Sequence, residues 1–181
     1  YSSLCNLPHF NQKANISYYF GDERCVPPDH PESNYGMVMQ ALLPNGVQKD
    51  CTIYRIEADN DDLDLAAQHY DDILPESIDV LLLGVGEDGH IASLFPNHQA
   101  LNEKTRRVIP VVGTKKPFQR LTITPSVIAQ AKSVFILASG NEKSAVLSRV
   151  LQSPDNWTEL PACLVLDATW LLDTPLIESN T

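Results

Sequence analysis

The run from Asp79 to Val85 (DVLLLGV) constrains the fold more than any other part of this chain. A continuous apolar stretch ended by glycine predicts a central strand covered on both faces. Further strands are expected at Ile16–Phe20, Thr52–Ile56, Arg107–Val112, Arg120–Thr124, Ser133–Ala138 and Cys163–Asp167. Helical patterns lie between them. Ser33–Leu43 follows a proline-rich turn and stops before Pro44. Asp61–Leu74 opens with acidic residues, which suit a helix N-terminus, and sets Leu63, Ala66, Ala67, Tyr70 and Leu74 on one face. Pro125–Lys132 starts with a Thr124-Pro125 cap, and Asn141–Gln152 carries Val146, Leu147, Val150 and Leu151 as an apolar stripe. Strands alternating with helices predict one α/β domain over residues 1–181, with a mostly parallel sheet flanked by helices. In such sheets, sites form beyond the carboxyl ends of strands.

Charge narrows the partners. A formal net charge of −10 argues against nucleic acid, whose binding needs a basic surface. It leaves room for a small anion held by a few local cations and N–H groups. No apolar run approaches the roughly 18 residues of a membrane span, and no basic-then-apolar leader is visible. Cys5, Cys25, Cys51 and Cys163 are widely spaced, without C-x-x-C or a Cys/His cluster, so free thiols in a reducing cytoplasm are expected. A monomer is expected.

Two strand ends hold the chemistry. After Ile16–Phe20 comes Gly21-Asp22-Glu23-Arg24, which is either a solvated turn or part of a site. After Asp79–Val85 comes Gly86-Glu87-Asp88-Gly89-His90. From Gly84 to Gly89 the glycines satisfy the dinucleotide pattern G-x-G-x-x-G. That pattern requires a long helix next and an acid closing a strand about 20 residues on. Pro96 and Asn97 stop any helix early, and Glu103 follows no strand. A histidine between a buried strand and a glycine turn suits a general base, since imidazole titrates near neutrality. Asp88 is near enough in sequence to orient it. A short helix from Ile91 is expected to offer N–H groups to an anion. The alternative is a solvated loop histidine. Arg120 opens a strand, and Lys143 shares the inward face of Val146 and Leu147, either as an anion ligand or as a snorkelling side chain. Together they suit a phosphate clamp. G-x-S-x-G is absent, and His30, His90 and His98 lack zinc-ligand spacing, so neither a serine elbow nor a metal is expected.

Phe20-Gly21-Asp22-Glu23-Arg24-Cys25-Val26-Pro27 with His30 and Ser33-Asn34, then Asp79 to Pro96, resemble the 6-phosphogluconolactonase family. Arg120-Leu121-Thr122, Gly140-x-x-Lys143 and Leu160-Pro161-Ala162 are weaker echoes. The resemblance implies the Rossmann-like fold of glucosamine-6-phosphate deaminases. It also implies hydrolysis of 6-phospho-D-glucono-1,5-lactone to 6-phosphogluconate in the pentose phosphate pathway, with no cofactor. His90 would activate water and return its proton to the ring oxygen, with Asp88 orienting it. Arg120 and Lys143 would hold the phosphate, anchoring the reacting carbon near the base. Gly89 would let the backbone approach the substrate. Arg24 would join the phosphate or meet sugar hydroxyls, and Asp22 would bind hydroxyls or organise the loops.

Members of the family carry an upstream strand and a glycine/serine-rich phosphate loop without a counterpart here, so residues 1–181 alone are expected to be poorly stable and weakly active. Two rivals stay open. A sugar-phosphate isomerase-deaminase would carry a glutamate five positions after the histidine, where this chain has Phe95. A non-catalytic sugar-phosphate sensor or inactive fragment is the other.

Overall fold

The computed structural model describes residues 2–7 and 9–173. Eight strands fall into three sheets. β1 (Ser17–Tyr19) runs parallel to β3 (Thr52–Tyr54). β4 (Leu81–Gly84), β7 (Val134–Ala138) and β8 (Thr169–Leu172) form a parallel sheet in that order. β2 (Asp22–Arg24), β6 (Gln119–Ile123) and β5 (Val108–Val112) form an antiparallel one. The α/β class expected from the alternation is thus present, with parallel pairing in two of the three sheets. The charged triplet after Gly21 forms β2 rather than a solvated turn.

The helices follow their caps. After α1 (Ser2–Cys5), α2 (Asn34–Ala41) is capped by Ser33, whose hydroxyl accepts from Gly36 N at 3.1 Å. Asp62 caps α3 (Leu63–Ile73) by accepting from Leu65 N at 3.0 Å. α3 buries Ala66, Ala67 and Tyr70, and its cap Leu74 is buried too. The Tyr70 hydroxyl accepts from Phe20 N at 2.6 Å and donates to Phe20 O at 3.1 Å, which fixes the end of β1. α4 (Pro125–Gln130) begins with proline, whose missing N–H costs nothing in a first turn. α5 (Asn141–Gln152) buries Val146, Leu147 and Val150, but Leu151 is exposed. At about 100° per residue, Lys143 falls at the middle of that stripe and Leu151 at its margin.

Three expectations need correction. β4 is covered on one face only: Leu81, Leu83 and Val85 are buried while Leu82 is 39% exposed. Its register sets Leu82 beside Phe135, and Leu137 sits between Gly84 and Leu171, which makes an open apolar face. β4 and β1 also each have one strand neighbour among the described residues. Cys163–Asp167 is not a strand. Pro161–Val165 forms a 3-10 helix, because a leading proline and Ala162 favour a turn, and the strand forms later as β8. No helix follows Ile91. Ala92 adopts φ 48°, a left-handed conformation that breaks helical geometry, and Ile91 bridges Val85 and Leu94 instead. No helix among the described residues is long and apolar enough to cross a membrane.

Candidate active site

The loop after β4 is shaped by what glycine lacks. Gly86 N donates to His90 O at 2.8 Å, folding the loop back on itself. A Cβ on Gly86 would lie 2.1 Å from His90 Nδ1, so any other residue would expel the imidazole. Gly89 has φ 88°, where a side chain is strained, and its Cβ would meet Leu160 Cδ2 at 2.9 Å. The Leu160-Pro161-Ala162 segment closes on that glycine, with Ala162 N donating to Gly89 O at 2.9 Å.

His90 Nδ1 lies 2.6 Å from Asp88 Oδ1. An ionised carboxylate only accepts, so Nδ1 carries the proton and Nε2 is left as the acceptor. The Asp88 carboxyl is partly buried, which pushes its pKa up. The hydrogen bonds and positive charge of His90 outweigh that and hold it below the usual carboxylate value. The imidazole also leans on Phe95, with ring centroids 5.0 Å apart and planes inclined by 48°.

Phe95 carries a second contact. The Arg120 guanidinium lies over its ring, 5.5 Å from the centroid. Arg120 is only 6% exposed, and its Nε and Nη2 donate to Pro117 O and Lys115 O at 3.2 and 3.3 Å. Burial and then the nearby Arg24 charge push its pKa down, against Asp22 and Glu32, which act the other way. Arg24 Nη1 donates to Glu32 O at 2.9 Å, while its Nε is buried without a partner.

A cavity of about 1050 Å³ is lined by residues of β1 and β4 and by His90, Asp22, Arg24, Lys115, Arg120 and Lys143. None of these four cations has a carboxylate ion pair among the described residues. In a chain of net charge −10, four cations on one cavity, beside Asp22, Asp79 and Glu87, supply the local positive charge that a small-anion site requires. Asp22 does not neutralise them by contact. Its Oδ1 accepts from Asn34 Nδ2 at 3.0 Å and its Oδ2 from the Ser93 hydroxyl at 2.6 Å.

Sequence reasoning therefore placed His90, Asp88, Arg120, Lys143, Arg24 and Asp22 in one region, and they are together. Gly89 shapes the loop, though the cavity lining includes Gly86 and not Gly89. Ser93 and Phe95 are not visible as site residues in the sequence, because their partners Asp22 and Arg120 are distant in it, and Lys115 lies in a loop with no local signal. Glu23 is 3% exposed and serves α2: Oε1 accepts from Arg24 N and Asn34 N, and Oε2 from the Ser33 hydroxyl and Tyr35 N, at 2.7–3.0 Å. The dinucleotide alternative fails on geometry. No helix follows the glycines, and Glu103 is consumed by Thr105 and Arg106 in its own loop. His30 Nδ1 accepts from Glu32 N, and no group of three His, Cys, Asp or Glu is placed for a metal among the described residues.

The fold and the site define an α/β protein with an Asp-oriented histidine facing a cationic cavity. More particularly, the chain belongs to the family of glucosamine-6-phosphate isomerases/6-phosphogluconolactonase, whose model matches residues 1–172. It is 39% identical to the 6-phosphogluconolactonase of Rattus norvegicus, over 85% of this chain and 64% of that protein. Against 6-phosphogluconolactonase 4 of Saccharomyces cerevisiae it is 38% identical, over 96% of this chain and 76% of the other. The solved structure of 6-phosphogluconolactonase from Trypanosoma brucei superposes with a TM-score of 0.74 at 26% identity, covering 94% of this chain and 77% of that one. A monomeric glucosamine-6-phosphate deaminase shares the fold, with a TM-score of 0.77 at 17% identity over 94% of this chain and 78% of that one. The chain spans 64% of the length of the mammalian relatives it matches.

Proposed function

We propose that this protein hydrolyses 6-phospho-D-glucono-1,5-lactone to 6-phosphogluconate, a step of the pentose phosphate pathway, with residues 1–181 acting as one catalytic domain. The observation that carries this reading is the His90–Asp88 pair, 2.6 Å apart, beside a cavity lined by four cations that have no carboxylate ion pair among the described residues. The relatives named as 6-phosphogluconolactonases support the choice of substrate.

Arg120 and Lys143 hold the substrate phosphate, and Arg24, which lines the same cavity, joins them or meets the sugar hydroxyls. Anchoring the phosphate sets the lactone carbonyl near His90, converting binding into proximity. His90 Nε2 takes a proton from water as the oxygen attacks C1. The imidazolium formed is stabilised by Asp88. As the tetrahedral intermediate collapses, the bond from C1 to the ring oxygen breaks and His90 returns the proton to that oxygen. Atoms and protons balance without a cofactor. A monomer in the reducing cytoplasm completes the reading.

Asp22 and Glu23 bear on the deaminase alternative. Asp22 is tied to Ser93 and Asn34, and Glu23 is spent on the α2 N-terminus, so neither is free for ring-opening proton transfer. Phe95 occupies the position where those enzymes carry a glutamate. The test is turnover of both substrates. Acid release from the lactone above its spontaneous rate, with no ammonia from glucosamine-6-phosphate, is expected. Ammonia release without lactone hydrolysis would overturn the assignment.

A further inference from the structure

Phe95 is 3% exposed, yet it does more than fill the core. Its ring meets the His90 imidazole at 5.0 Å and the Arg120 guanidinium at 5.5 Å. These two groups do different work in the lactonase reading: one moves protons, the other holds an anion. The loop opposite leaves space for this arrangement. A Cβ on Gly113 would lie 2.9 and 3.0 Å from Phe95 Cζ and Cε2, and 3.2 Å from Arg120 Nε. Phe95 and Gly113 therefore fit together as ring and recess. Arg120 is held from the same side by the carbonyls of Pro117 and Lys115.

We propose that Phe95, seated against Gly113, is a positioning residue that fixes the separation between the His90 base and the Arg120 anion clamp, and so selects lactones whose phosphate lies at that reach. A rigid aromatic spacer suits this task, since a ring has few rotamers and attracts a guanidinium over its face. It leaves the Arg120 charge without the ion-pair partner that an acid at this position would provide. Small errors in that separation are costly, because a displacement of about 1 Å can lower a rate by about 100-fold.

The inference rests on the lactonase reading, and its test separates the two. Phe95→Leu removes the spacer, and Gly113→Ala presses on it from the other side without replacing a site residue. Both variants, checked for folding by circular dichroism, are assayed on 6-phosphogluconolactone and on unphosphorylated gluconolactone. The phosphorylated substrate is expected to lose about tenfold or more in kcat/KM while the unphosphorylated one changes by about threefold or less, so that selectivity collapses. A residue with only a packing role would lower both in proportion, and that result overturns the proposal. The second arm needs no turnover. Inorganic phosphate, titrated while the His90 imidazole signals are followed by NMR, is expected to shift them in the wild type and to leave them nearly unmoved in Phe95→Leu. Equal shifts in both proteins, or none in the wild type, overturn the proposal. A wild-type protein that hydrolyses neither lactone defeats the lactonase reading, and the NMR arm then decides on Phe95 by itself.

Discussion

One methyl group at residue 86 is enough to dismantle the site. A Cβ there would fall 2.1 Å from His90 Nδ1 and 2.6 Å from Asp88 Oδ1, so Gly86→Ala must break the pair. We expect it to remove most of the catalysed rate, of the order of 100-fold, the lower range for loss of a general base, in a protein that circular dichroism shows to be folded. An active Gly86→Ala protein would show that the pair is not required. Ser93 makes a different contribution. It is fully buried, its N–H donates to the Thr122 hydroxyl at 3.1 Å, and its own hydroxyl reaches Asp22. Ser93→Ala leaves one Asp22 oxygen without its donor, so thermal unfolding should show a loss of about 1.5–3 kcal/mol, the range for hydrogen bonds to charged groups. Of these residues, His90 and Asp88 were legible because glycine, acid and imidazole sit within five positions of a strand end. Ser93 and Phe95 were not, because their partners Asp22 and Arg120 are far away in sequence.

Among the elements, α2 depends on a carboxylate that belongs to β2. Glu23 accepts from Asn34 N, Tyr35 N and the Ser33 hydroxyl, filling the donors that a helix N-terminus leaves open. Glu23→Ala is expected to destabilise the fold by about 3 kcal/mol, as loss of a buried charged partner does, readable in urea unfolding. The loop after Leu101 is pH-sensitive. Hydrogen bonds from the Thr105 side chain and the Thr105 and Arg106 backbone hold Glu103 at about 2. Its folded pKa is depressed, so its contribution is full above about 4.5 and is lost as pH falls toward about 2. The Thr105 and Arg106 amide signals should titrate around pH 2 in the wild type and not in Glu103→Gln. Apart from the short helix expected from Ile91, the helices are legible in the sequence, since caps and apolar stripes are local signals. The 3-10 turn at Pro161–Val165 was mistaken for a strand, because a short apolar run does not reveal its period.

At the scale of the whole molecule, the alternation of elements gave the α/β class but not the division into three sheets, since strand pairing depends on contacts between distant segments. It also concealed the open face of β4, β7 and β8. Leu82, Leu137 and Leu171 are 39–50% exposed there, an apolar surface of the kind that binds other apolar matter. We expect residues 1–181 to bind a hydrophobic dye in the native state and to melt at low temperature, and Leu137→Lys with Leu171→Lys to reduce the dye signal. Dye binding unchanged by the pair would place the open surface elsewhere.

The central claim is that His90 activates water against a phosphorylated lactone. Its most direct test is the rate of acid release from 6-phosphogluconolactone, measured against the spontaneous reaction, for the wild-type chain and His90→Ala. Hydrolysis above background is expected in the wild type, with a loss of about 100-fold or more in the variant. A wild type no faster than background, or a variant as fast as the wild type, would contradict that claim.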